Sequence, residues 1–155
     1  RPLQTSARNI HFVQQDACRL SPQALGLTDS LSCLHALEHF GLGRYGDPID
    51  AGGHVRGWRA ISSIVEPGGW AYLSVPIGAR QRVEFNAHRV FSLPTLARMV
   101  EDDFELRALH YVDDVGGLHL DAPREGPHWE GSFGLRLGCG ILELRKRVPD
   151  LTETV

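Results

Sequence analysis

An α/β fold on a largely parallel sheet is what this sequence predicts, and three observations predict it. Short β-prone apolar runs alternate with segments whose apolar residues recur at helical spacing. A helix-period segment with a strand on each side is the pattern of a right-handed βαβ crossover. A 155-residue chain that is 42% hydrophobic is also long enough to bury one real core. One globular domain spanning 1–155 is expected.

The elements follow in order. Ile10-His11-Phe12-Val13 reads as a short strand that delivers Asp16 to its C-terminal tip, and Ser21 to Asp29 holds turn formers around one short helical segment. Ser30 to His35 (SLSCLH) reads as a buried strand. Five glycines and a proline among the fourteen residues Phe40 to Gly53 exclude a regular interior there, so an irregular loop is expected. Val55, Trp58, Ile61, Ile64 and Val65 fall at three-and-four spacing, which predicts a helix over His54 to Val65, stopped by Pro67-Gly68-Gly69.

Trp70 to Val75 (WAYLSV) is the strongest strand, closed by Pro76. Ser92-Leu93-Pro94 has the form of a helix start, with Ser92 as cap and Leu96, Met99 and Val100 on one face. Phe104 to Val112 reads as a strand and Cys139 to Arg147 as the final one. Between them, residues 113–134 form a long polar connection carrying His119, Arg124, His128 and Trp129, expected either to be mobile or to cover a site. The tail 149–155 is expected to fray. Trp58, Trp70 and Phe85 lie in or beside apolar periodic runs and are expected in the core.

Charge and cysteine content narrow the function classes. Sixteen Lys+Arg against nineteen Asp+Glu leave a net charge of -3, without the basic excess that phosphate backbones require, so nucleic acid is not expected as a partner. Cys18, Cys33 and Cys139 are odd in number and far apart, which suits a reducing compartment. No apolar run reaches the roughly 18–20 residues of a membrane span, and no charged-then-apolar leader is present; a cytoplasmic location without membrane association is expected. The chain opens on Arg1-Pro2-Leu3 rather than Met, and the reading expects an N-terminal truncation.

Several motifs carry chemistry. His35-Ala36-Leu37-Glu38-His39 matches H-x-x-E-H, in which two histidines one helical turn apart bind zinc and a Glu activates water. That chemistry needs a helix, whereas here a β-prone run precedes the motif and Gly41 follows it. A strand end and turn is the preferred reading, with a metal-dependent hydrolase using His35 and His39 as an alternative. Glu38 and His39 at a strand's C-terminal end are candidates for a general base, against a purely structural hydrogen-bonding role. Arg44, Tyr45, Asp47 and Asp50 on the glycine-rich loop suit a polar substrate, or a loop held by its own Arg–Asp pairs. Asn86, His88 and Arg89 form a second polar cluster, which would either line the cleft after the central strand or cap the next helix. The glycines of Gly41 to Gly46 fit no phosphate-loop spacing.

Gln15-Asp16-Ala17 after the first strand, HALEH after the second and Glu66-Pro67-Gly68-Gly69 before the third stand in an order that resembles the second half of class I S-adenosylmethionine-dependent methyltransferases, over about residues 9–147. Within that superfamily, EHFGLGRYGDPID (Glu38 to Asp50) and VEFNAHRVFS (Val83 to Ser92) resemble an uncharacterised branch, the domain of unknown function 268. The resemblance implies a partial Rossmann-like methyltransferase fold lacking its first two strands, with a mostly parallel sheet and an antiparallel last strand. By position, Asp16 and Ala17 would hold adenine, and His35 and Leu37 would lie at the methionine end of the cofactor. Glu38, His39 and His88 are then the catalytic candidates. Arg44, Tyr45, Asp47, Asn86 and Arg89 are the substrate-binding ones, with no metal.

The reading is thus a methyltransferase-like protein acting, in complete form with S-adenosylmethionine, on a polar acceptor such as a carbohydrate-linked group. In such enzymes the glycine-rich turn and the ribose-binding acid precede the position of Asp16, and Arg1-Pro2-Leu3 resembles the stretch that follows them. Strands lacking their neighbours leave an open sheet edge, which predicts a homodimer or a remodelled sheet. A non-catalytic interaction module of the same fold is the alternative from a different class.

Overall fold

The computed structural model describes residues 6–84 and 87–149. Its main sheet has five strands: β1 (Thr28–Leu34), β2 (Val65–Ile77), β5 (Phe104–Val112), β6 (Leu118–His119) and β7 (Gly138–Lys146), in the order β1-β2-β7-β5-β6. β1 and β2 are parallel, and β7 runs antiparallel to both β2 and β5. The last strand therefore runs against β1, β2 and β5, as the short β6 also does, and is inserted between β2 and β5. A hairpin of β3 (Arg82–Glu84) and β4 (His88–Val90) follows β2.

Alternation decides which face of the sheet is core. Ala71, Leu73, Val75 and Ile77 on β2 are fully buried, and in register with them Leu142 faces Leu73 and Leu144 faces Ala71. After the single turn α1 (Pro22–Leu25), the helix α2 (Gly53–Ser63) lays Trp58 and Ile61 on this face, Trp58 meeting the Phe104 ring at 5.4 Å. The helix α3 (Leu93–Val100) adds Leu93, Leu96 and Val100; Ser92 caps it by accepting from the Thr95 N–H. Each such large aliphatic or aromatic burial contributes about 1.5–3 kcal/mol, so this face holds the molecule together.

Several expectations are corrected. Ile10–Val13 forms no strand, and Ile10, Phe12 and Val13 are exposed, because a four-residue run has no stability without a sheet edge to pair with. Glu66-Pro67-Gly68-Gly69 is not a helix stop. The helix ends at Ser63, and these residues form an irregular opening of β2, with a register shift against β1 between Thr28 and Ser30. A Cβ at Gly69 would lie 3.0 Å from the Asp29 carbonyl oxygen, so only glycine lets the two strands approach there. Trp70 is not core: it stacks on Tyr72 at 6.3 Å, beneath the Arg145 guanidinium, on the opposite, half-exposed face. Phe85, Asn86, Arg1-Pro2-Leu3 and the tail after Pro149 lie outside the described residues.

The connection 113–134 carries elements of its own. Besides β6, it contains α4 (Gly126–Glu130) and a 3₁₀ turn at Ser132–Gly134. Buried Trp129 and the Ser132 hydroxyl, which accepts from the Leu93 N–H at 2.9 Å, pin it under the start of α3. Tyr111 is stacked between His119 and Phe133. Among the described residues no helix is long and apolar enough to cross a membrane.

Candidate functional site

The site grows from the C-terminal end of β1. At His35 the chain turns out of the strand with φ of 48°, left-handed backbone that costs a non-glycine residue about 1–3 kcal/mol unless its surroundings hold it. Ala36 follows, then one 3₁₀ turn, Leu37–His39. Leu37 is fully buried in the core and draws the turn inward, which is why the neighbouring Glu38 carboxylate is only 2% exposed. A carboxylate removed from water needs partners. Glu38 Oε1 has one in His35 Nδ1 at 3.1 Å, with His39 Nε2 3.9 Å away, whereas Oε2 is buried with no hydrogen-bond partner.

Two loops close around this carboxylate because they follow adjacent parallel strands, β1 and β2. The β3–β4 hairpin brings the Ala87 carbonyl to accept from both His39 Nδ1, at 2.8 Å, and Arg44 Nη1, at 3.0 Å. His88 lies edge-on to His39 with ring centres 6.4 Å apart, and His88 Nε2 is another buried atom without a partner. Tyr45 also meets His39 edge-on, with ring centres 5.6 Å apart. Arg89 is buried beneath the turn and donates from Nη1 to the carbonyls of Phe40 and Glu38, which stitches the two loops together. Burial pushes its pKa down.

The glycine-rich loop is held by Asp47. Its carboxylate accepts from the N–H groups of Gly41, Gly43 and Tyr45. Burial opposes its charge, but these backbone donors prevail and hold the carboxyl below its usual range. Asp50 pairs with Arg56 on α2 and accepts from the Gly52 N–H. Gly41 packs so tightly against this segment that a Cβ at Gly53 would lie 2.7 Å from its Cα.

The structure therefore brings Glu38, His39, His88, Arg44, Tyr45 and Arg89 together. Asp47 serves the loop's own backbone. Asp16 and Ala17 sit on a separate 3₁₀ turn at Ala17–Arg19, where the Asp16 side chain accepts from the Cys18 N–H and pairs with Arg19 in solvent. Leu37 has its side chain in the core, so only its backbone is available to a ligand. The H-x-x-E-H segment is not an α-helix, and among the described residues no group of three or more His, Cys, Asp and Glu is placed to hold a metal ion.

Two residues of the site escape the sequence reading. Cys139, the second residue of β7, sits opposite Pro76 of β2, and its thiol lies 3.2 Å from His35 Nε2. Burial, with the Glu38 charge, pushes that thiol up from its ordinary pKa. His54, at the start of α2, packs on Phe91; burial, with the nearby Arg89 charge, pushes its pKa down, and its Nδ1 is buried without a partner. Neither residue belongs to a local motif; the one available signal is Cys139 flanked by Gly138 and Gly140, a close-approach pattern inside a strand. A cleft of about 510 Å³ lined by residues from Arg107 to Leu109 and Asp121 to Glu125 shares no residue with this site.

Residues 13–124 match the family described as Caenorhabditis protein of unknown function, DUF268. No curated protein matches the sequence. Among solved structures, that titled as the crystal structure of the [4+2]-cyclase SpnF is similar, with a TM-score of 0.55 at 17% identity. The match covers 89% of this chain and 56% of that one, so this chain spans a little over half the length of its structural relative. Such a likeness concerns the fold, and the partial methyltransferase-like α/β fold expected from the sequence is the fold observed.

Proposed function

The chain belongs to the family described as Caenorhabditis protein of unknown function, DUF268, and from that premise we propose that it is the acceptor-side part of an S-adenosylmethionine-dependent methyltransferase acting on a polar, carbohydrate-linked hydroxyl group. The observation that carries this reading is the buried Glu38 carboxylate with one oxygen lacking a partner, beyond the C-terminal end of a parallel strand, where open α/β sheets bind ligands. A hydroxyl donating to Glu38 Oε2 would satisfy that oxygen and be placed to lose its proton. His88 Nε2 offers a second unmatched polar atom for the acceptor, and Arg44 and Tyr45 stand at the rim to grip its polar groups.

The residues present also fit part of the cofactor. Asp16 keeps lone pairs exposed to solvent for the adenine amino group, Ala17 offers its backbone, and the segment His35 to Leu37 would pass the methionine end. When bound, the cofactor supplies an electrophilic methyl group on a sulfonium centre. The protein's own work is then to exclude water, orient the acceptor and hold its proton on Glu38, beside which the His39 ring lies. Self-association through the outer edge of β1, which no strand among the described residues pairs and where Leu34 is 59% exposed, is part of the same proposal.

Calorimetric titration with S-adenosylmethionine, on this chain and on any longer protein that contains it, tests the reading. Binding is expected at least in the longer form, with Glu38→Gln sparing binding and abolishing methyl transfer to sugar hydroxyls. Absence of binding in both forms would sink it.

A further inference from the structure

We propose that Cys139 is a nucleophile activated by His35 with Glu38 orienting the imidazole, a thiol–imidazole–carboxylate relay that takes the carbonyl carbon of a small ester or thioester. The inference shares Glu38 with the preceding reading but needs no S-adenosylmethionine.

Geometry makes the assignment. An ionised carboxylate can only accept, so Glu38 Oε1 at 3.1 Å fixes the proton of His35 on Nδ1 and leaves the lone pair of Nε2 facing outward. The group at that lone pair is the Cys139 thiol, 3.2 Å away. A nucleophile in hydrogen-bond reach of a base that a third group orients is the arrangement on which thiol and hydroxyl acyl transfer depends. The ordering group is 2% exposed, and its second oxygen has no partner. His35 is half-exposed and Cys139 intermediate, so a small electrophile can reach the sulfur from solvent. The other two cysteines have no such neighbour: Cys33 is buried, and the Cys18 thiol points at the Gly53 carbonyl. Because burial keeps the Cys139 thiol protonated at neutral pH, its attack depends on His35 rather than on a standing thiolate.

The chemistry balances without a further reagent. His35 Nε2 takes the thiol proton as Sγ bonds to the carbonyl carbon. The carbon–oxygen or carbon–sulfur bond to the leaving group then breaks, and the leaving group receives that proton from the imidazolium. A thioester remains on Cys139. Water, giving its proton to His35, attacks this thioester and releases a carboxylic acid and the free thiol.

The test uses p-nitrophenyl acetate on the whole chain. A burst of p-nitrophenolate is expected together with one acetyl group on the peptide containing Cys139, found by mass spectrometry after digestion. His35→Asn is the decisive variant, because asparagine tolerates left-handed backbone and keeps the turn folded. It should slow acylation of Cys139 by about 100-fold. A parallel competition with iodoacetamide should alkylate Cys139 ahead of Cys18 and Cys33, and that lead should vanish in His35→Asn. Acetylation that avoids Cys139, or a Cys139 rate unchanged by His35→Asn in a variant that melts like the parent, would overturn the proposal. Acylation, with no S-adenosylmethionine binding in either this chain or a longer protein that contains it, upholds this inference while defeating the preceding one, and binding without acylation does the reverse.

Discussion

Gly57 sits in α2 facing Phe40, the residue whose carbonyl receives the Arg89 guanidinium, and its replacement by alanine tests how the site is braced. Two effects oppose each other. An alanine in a helix interior is favoured over glycine by about 1 kcal/mol. Its Cβ, however, would lie 2.6 Å from Cε2 of Phe40 and 3.4 Å from the Cys18 sulfur. A ring carbon cannot yield as the end of a long side chain can, so Phe40 must turn, and overpacking of this kind costs about 1–3 kcal/mol. The expected net effect is a destabilisation of about 0–2 kcal/mol, or a melting point lower by up to roughly 8 °C. Scanning calorimetry on Gly57→Ala, Phe40→Leu and the double variant measures it, and removing the ring should recover part of the loss, with a coupling of about 0.5–3 kcal/mol. A raised melting point in Gly57→Ala, as for a solvent-facing helix glycine, or an additive double variant would refute the packing argument.

Three further outcomes are expected. Burial opposes the charge of Asp103, but hydrogen bonds from Ser62 Oγ and Lys146 Nζ, with the Lys146 charge, hold its carboxyl below the usual range; its stabilisation is therefore complete above the ordinary aspartate pKa of about 3.9 and lost as pH falls through the lower folded value. Urea midpoints should accordingly separate the parent from Asp103→Asn at pH 7 and converge in acid, and a pH-independent gap would contradict the assignment. Sedimentation velocity should show concentration-dependent association that Leu34→Lys weakens, since a lysine on an open strand edge discourages pairing; a parent that stays monomeric at high concentration would end the edge proposal. His39→Ala should abolish methyl transfer without unfolding the chain, and unchanged turnover would remove His39 from the proposed machinery.

Local signals carried the elements whose ends are set locally. Phe104–Val112 has the same limits in the sequence reading and in the structure, and α3 begins where the Ser92 cap and Pro94 place it. The misreadings are all tertiary. Glu66 to Gly69 contains strong helix stoppers, yet they join β2 because β1 supplies a partner for Val65 at Thr28. Ile10–Val13 has strand composition and finds no edge. Trp70 has core composition but falls on the half-exposed face, opposite Arg145, because register rather than hydrophobicity decides a strand residue's side.

The same division runs through the site. That the loops after β1 and β2 meet follows from strands that are adjacent and parallel, so Glu38, His39 and His88 were legible as neighbours; Cys139 was not, because its approach to His35 depends on β7 inserting antiparallel beside β2 in the register that sets it against Pro76. Both proposed chemistries consequently converge on Glu38, but through different oxygens, and a single variant separates them. In Glu38→Gln the amide oxygen can still accept from His35 Nδ1, so the thiol relay keeps its tautomer and loses only the charge that steadies the imidazolium. The hydroxyl acceptor, by contrast, loses its only base on that side, since an amide cannot take the proton. Acylation reduced but measurable in Glu38→Gln, beside methyl transfer that is abolished, is the joint expectation. Equal loss of both would mean that the carboxylate acts on neither reaction directly and serves instead to fold the turn.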